Sequence, residues 1–293
     1  MFLEEIEREE EKKTIEESTD VSVPTTTPTV TPKEEPQQVF FGRRIIYSSL
    51  KKEELTVENI LNILPSVLRI HEMNASEIDY LWRYYKGEQP ILKKIKKVRP
   101  DINNVVLENH AFEIVEFKKS NDFGEPVQYV QKGEKDTEQI NPELSLLNRY
   151  MESEDKSSLD NELSEWQCIA GTSYRWADTD TPTDEDEAPF EMSVPDPRRT
   201  FVVRSSGIKK EQLFSGYYSW FSDSTMADGF PEYSSKYRII TIYTDEFMLE
   251  IKESNGNYEV VPQTLTIGEE VTDINTYPLY PKGQRIIEYP LNS

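Results

Sequence analysis

The chain has 293 residues, a formal net charge of −22, and 36% hydrophobic and 11% aromatic residues. That is enough length and apolar content for a real core, in one large domain or two small ones, while the charge repels a polyanion and excludes generic coating of nucleic acid. A single cysteine, Cys168, excludes an intrachain disulfide, and no apolar run approaches the length of a membrane span, so no membrane partner is expected.

The first stretch, "MFLEEIEREEEKK", lacks the basic start and apolar run of a signal peptide. Residues 1–38 then alternate Thr and Pro after a Glu-rich start, which blocks helix and weakens strand. They read as a disordered acidic tail, with a docking arm as the alternative.

A helical region follows, over 50–170. "LTVENILNILPSVL" spaces Ile60, Ile63, Leu64 and Val67 helically, with Thr56 as N-cap and Pro65 expected to kink or divide the helix. "NASEIDYLWRYYKG" predicts a second helix, capped by Ser76 and ended by Gly87, with Ile78, Leu81, Trp82 and Tyr85 on its apolar face. Asn109 to Lys119 predicts a third, in which Ala111, Phe112, Ile114, Val115 and Lys118 share a face; "NDFGEP" breaks it and "VQYV" starts a strand. Two more helices follow, with stripes at Leu144, Leu147 and Tyr150, and at Leu159, Leu163, Trp166 and Ile169. Trp82, Tyr85, Ile114, Trp166 and Phe201 are the expected core residues.

From 171 to 293 the period changes to two. "FEMSV", "TFVVRSS", "YRIITIYT", "FMLEI" and "YEVV" alternate between turn residues, including "NGN" at 255–257. Helices first and antiparallel strands later predict an α+β fold: N-terminal helices, then a β-rich region, preceded by the acidic tail.

Residues suited to catalysis are sparse. The two histidines, His71 and His110, have no second ligand at a metal-binding interval, and one cysteine cannot build a zinc site. Cys168 lies on an apolar helix face and reads as a buried thiol. The run "DTDTPTDEDE" at 178–187 lacks the calcium-loop spacing and reads as a solvated loop. No phosphate-cradling Gly-rich loop is present. No cofactor is expected. The feature that opposes the global charge is the cluster Lys93, Lys94, Lys96, Lys97 and Arg99. It is a candidate contact for DNA phosphate, or for an acidic neighbour such as loop 178–187 of another copy; the alternative is a solvated face.

"FGRRIIY", "LWRYYKGEQPIL", "VRPDINNVVLENHAFEIVEFKKSNDFGEPVQYV", "CIAGTSYRW", "DEAPFEMSVPDPRRTFVVRSSGI" and "GQRIIEYPLN" occur in one order over residues 39–293. Together they resemble the portal proteins of long-tailed phages of Gram-positive bacteria. The resemblance implies a structural subunit without catalysis, in a ring of typically twelve subunits at one capsid vertex. Through that ring a terminase pumps DNA in, and to it the tail is joined. It implies as partners the other portal subunits, terminase, scaffold and capsid proteins, head–tail connector proteins and passing double-stranded DNA read without sequence specificity. The location it implies is the virion, and the host cytoplasm during assembly. Residues 39–293 correspond to the wing region of such a protein. The stop at Ser293 leads one to expect its front part, without channel helix and clip. Two other readings compete: an α+β carboxylate-based hydrolase, and an acidic adaptor that binds a basic partner through its tail.

Overall fold

The computed structural model describes residues 42–102, 104–122, 129–130, 142–181, 187–227, 230–267 and 270–291. The tail over 1–38 lies outside the described residues. Thr56 opens α1 (Val57–Tyr85), its hydroxyl accepting from the Asn59 amide at 3.3 Å. This satisfies one of the first-turn N–H groups that a helix leaves without a partner. Ile60, Leu64, Val67, Leu68, His71, Ile78 and Tyr85 fall on the buried side, three or four residues apart as one face of a helix requires.

The expectation of two helices, divided at Pro65 and recapped at Ser76, is corrected: one helix of 29 residues runs through both positions. Pro65 faces solvent, so the carbonyl of Leu61, which loses its donor, lies toward the water side rather than the core. Ser76 is an exposed mid-helix residue. The polar side chain that matters there is Asn74, which turns inward. Its amide nitrogen donates to the Arg44 carbonyl at 2.8 Å, and its oxygen accepts from the Arg44 amide at 3.1 Å. Asn74 thus pairs with the incoming backbone as a strand neighbour would. Gly87, at φ +93, follows the helix end as the sequence predicts.

Four shorter helices follow: α2 (Pro90–Val98), α3 (His110–Asp122), α4 (Pro142–Ser153) and α5 (Lys156–Ala170). Asn109 caps α3, accepting from the Phe112 amide at 3.3 Å, while its own amide donates to the Tyr85 carbonyl at 2.7 Å. Of the predicted apolar face of α3, only Val115 is buried. Ile114, expected in the core, is 57% exposed, because the helix meets α1 and α5 through Phe112, Val115, Glu116 and Lys119, on the side away from it. Of "VQYV", Val127 and Gln128 lie outside the described residues, and Tyr129 and Val130 form no strand. Asn148 holds both backbone groups of Tyr129, at 2.9 and 3.1 Å.

The strands are β1 (Ile46–Ser48), β2 (Thr172–Thr179), β3 (Phe190–Ser193), β4 (Thr200–Ser205), β5 (Gln212–Ala227), β6 (Phe230–Tyr243), β7 (Phe247–Ser254), β8 (Asn257–Val261), β9 (Gln263–Ile267), β10 (Glu270–Ile274), β11 (Tyr277–Pro278) and β12 (Ile286–Pro290). The main sheet runs β1-β4-β5-β6-β7-β11, with β8 also on β7; β12-β2-β3 form a second sheet and β9-β10 a hairpin. Every pairing is antiparallel except β1 on β4, whose register is Ile46 opposite Val203. Asn255 and Gly256, both at positive φ, make the tight β7–β8 turn, as Asn-Gly between alternating runs should.

One face of α1 and the main sheet enclose the largest core, built on Ile60, Leu64, Leu68, Phe201, Phe214, Ile240, Ile242 and Leu249. Further along, α1 turns to α5, where the Trp82 and Trp166 rings stack with centroids 4.7 Å apart. α1 therefore belongs to both halves of the α+β fold.

Candidate interaction surface

Helix α2 explains itself from its sequence. Pro90 stands at its first turn, where its missing N–H costs nothing. At 100° per residue Lys93, Lys94, Lys96 and Lys97 share one half of the cylinder, and Ile91, Leu92, Ile95 and Val98 the other. Lys94, Lys96, Lys97 and Arg99 are exposed; Lys93 sits on the same face of the backbone. Arg99 has one acidic neighbour, Asp101, at 3.7 Å. The apolar half is only partly covered, and Val98 is 66% exposed. The sequence-predicted basic cluster is thus brought together on one short helix beside uncovered apolar surface.

The next element carries exposed apolar groups of its own. Phe117 is 70% exposed on α3, one turn beyond Ile114, and Val106, in the extended segment before α3, is 88% exposed. Single exposed apolar residues are ordinary, but several in one stretch mark a contact surface. Phe117 escaped the sequence reading. It lies outside the face chosen there, and only burial shows which face is covered.

The other charged groups close the fold. Glu288 of β12, its side chain 5% exposed, receives Arg43 at 2.8 Å and Arg204 at 3.0 Å. The hydroxyls of Thr172 and Tyr174 donate to it at 3.4 Å each. Burial pushes the Tyr174 phenol well above its usual range. Asp160 binds Lys156 and Arg175, tying α5 to β2. Arg238 of β6 reaches Glu72 of α1 at 2.9 Å. Arg198 joins Asp196 at 2.7 Å and lies over both tryptophans of the stack.

The two histidines are held apart. His71 is enclosed by Phe201 and Tyr218, and its Nε2–H donates to the Arg198 carbonyl at 3.2 Å. Desolvation holds its pKa down to about 4. His110 lies in the open between Glu108 and Glu113, and its hydrogen bond to Glu113 raises its pKa. The Cys168 thiol is pushed up by burial, which makes it a poor nucleophile at neutral pH. Among the described residues no group of three His, Cys, Asp or Glu side chains is placed to hold a metal ion, and no helix is long and apolar enough to cross a membrane. Asp178 and Thr179, at the start of the acidic run read as a solvated loop, belong instead to β2, and the Asp178 carboxylate accepts from Nε–H of the buried Arg285 at 2.6 Å; residues 182–186 of that run lie outside the described residues.

These surfaces and junctions describe a body built for packing and contact. Residues 66–292 match the phage portal proteins described as SPP1 Gp6-like. The chain belongs to this family. The match begins just after Pro65 and takes in the rest of α1 and every later element, α2 and the ionic junctions included. It makes the protein a structural phage protein with a portal role, of a family associated with the virion, the capsid, packaging and head–tail connection. Among curated proteins none matches the chain.

Proposed function

We propose that the protein is a ring-forming subunit of the portal vertex, surrounding the path along which double-stranded DNA is packaged and ejected and offering the platform on which the tail is joined. The observation that carries this reading is the family match across most of the chain. The fold is compatible with it: a helix–sheet core and a helical core cross-tied by ion pairs make a stiff block. In this reading residues 39–293 are the wing region and 1–38 an acidic appendage. The partners are other copies of the chain, terminase, scaffold and capsid proteins, and head–tail connectors, met in the host cytoplasm during assembly. DNA passes without sequence-specific contact, and the subunit performs no catalysis of its own. Lys93, Lys94, Lys96, Lys97 and Arg99 are the residues we assign to contact with an acidic surface.

Particles purified from the producing host test this. Gold-labelled antibody against the chain is expected at one vertex per particle, and deleting the gene is expected to leave heads without DNA. Label spread over the shell, or normal DNA-filled heads without the protein, would overturn the reading.

A further inference from the structure

One edge of the main sheet is open. β1 lies at its end and pairs with β4 alone. The Ser48 carbonyl accepts from the Ser206 amide at 2.9 Å, so the backbone groups of Ser48, and of Ile46 two residues before it, face β4. Successive residues of a strand turn their N–H and C=O to opposite sides, and those of Tyr47 therefore face outward. Arg44 gives both of its backbone groups to Asn74. Ile45, between Arg44 and β1, makes no backbone hydrogen bond among the described residues.

Sheet edges are a template for further strands, and proteins blunt them with proline or charge. β11, at the other end of the main sheet, carries Pro278, and β12, at the end of the second sheet, carries Pro290. Ile45 to Ser48 carry neither device. The side chains beside this edge are apolar: Ile45 is 42% and Tyr47 39% exposed, on one face. On the other face lies α1. Its half-buried Ile63 and Ile70 fall within about 40° of Asn74 around the helix, on the side that meets Arg44 just before β1. The edge is thus flanked above and below by apolar surface. At its far end stand two lysines. Lys210 lies over the Tyr47 ring at 5.8 Å, and Lys209 is exposed, with Glu211 at 3.6 Å.

We propose that the outer edge of β1 receives an extended segment of another protein, an apolar run ended by carboxylates, which adds as a strand beside Ile45 and Tyr47. The outward N–H and C=O groups select an extended backbone, the only partner that answers them in alternation. The apolar flanks select the side chains of the run, and Lys209 and Lys210 set its register by charge. The chain's own sheet ends β11 and β12 fit this edge poorly, since each carries a proline. With so few backbone bonds to offer, the edge holds a free peptide weakly and gains its strength when the segment is tethered to a protein bound nearby.

NMR and hydrogen exchange of the isotope-labelled full chain test this, with the peptide acetyl-Thr-Val-Tyr-Val-Asp-Asp-amide as probe and thermal melting to check that each variant is folded. At saturation the peptide is expected to shift the Tyr47 amide and to slow exchange at Ile45 and Tyr47 tenfold or more. The same peptide N-methylated throughout keeps its side chains but offers no N–H, and is expected not to bind. Tyr47→Pro removes the outward N–H and is expected to weaken binding tenfold or more; Lys209→Glu with Lys210→Glu is expected to weaken it several-fold, most at low salt. A peptide that leaves both amides untouched, or that binds equally well when N-methylated or to Tyr47→Pro, overturns the proposal. So does self-association of the wild type that Tyr47→Pro abolishes, which would give the edge to a second copy. Should Tyr47→Pro fail to fold, exchange at Ile45 and Tyr47 in the wild type decides alone. None of these outcomes bears on the portal reading, which the labelled particles test separately.

Discussion

His71 shows what one buried group does to the pH response of the whole chain. Its folded-state pKa of about 4 lies below the ordinary 6.5. The fold holds the neutral ring while the unfolded chain takes up a proton, so this contribution is fully present above pH 6.5 and is lost as pH falls toward 4. The difference amounts to about 3 kcal/mol. His71→Gln keeps a donor for the Arg198 carbonyl but cannot titrate. Its stability deficit relative to wild type, measured by urea unfolding, is expected to narrow from pH 7 to pH 4.5; a constant deficit would show that the ring is not held neutral. Gly216 is a second such residue. It sits opposite Phe201 across β4 and β5, and a Cβ there would come within 2.9 Å of three ring carbons. Gly216→Ala is expected to cost about 1–3 kcal/mol in the same assay, since neither the buried ring nor the strand has room to move. Phe201, Tyr85 and Trp166 were legible as core from periodicity. The Gly216–Phe201 contact was not, because it depends on which strand lies beside which. Ile114 was misread for a related reason: a helical stripe shows which side is apolar, not whether anything covers it.

At the scale of elements, legibility followed length and local chemistry. The cap at Thr56, the stop at Gly87 and the Asn-Gly turn are written in adjacent residues, and the structure has them where the sequence puts them. The parallel strand β1 could not be foreseen, since three residues carry no period and their partner lies more than 150 positions away. The extended segment before β1 is fixed by Asn74 on Arg44 and by Glu77, which takes the Arg44 guanidinium at 2.9 Å. These anchors all lie after residue 38. Deleting residues 1–38 is therefore expected to leave the melting temperature nearly unchanged, as their Thr-Pro and Glu-rich composition also argues. A drop of many degrees would mean that the tail packs on the body.

On the whole-molecule scale α1 decides how the chain unfolds. Its first half lies in the sheet core and its second half in the helical one, at Ile78, Trp82 and Tyr85. A 29-residue helix shared by two cores cannot be lost from one alone. Urea unfolding is expected to be a single transition, with near-UV and far-UV circular dichroism coinciding. Two separated transitions would show that the halves are independent and that α1 breaks, at Pro65 or beyond. The family was legible in the order of short segments. The lysines of α2 stood out against the net charge, while the uncovered apolar half beside them required burial to be seen.

The convergence on Glu288 also has a mechanical side. β12 lies along β2 through five consecutive residue pairs, and Leu291 is held to Gly171, at the end of α5, by a 3.0 Å hydrogen bond. A pull along β12 therefore loads those pairs together, in shear, instead of peeling them one by one. The Glu288 carboxylate hands part of that load sideways, through Arg204 to the main sheet and through Arg43 to the segment that leads into β1. Tension arriving at one end of the described chain is thus carried by both sheets and by its other end, and the body answers force as a rivet plate does, by sharing it.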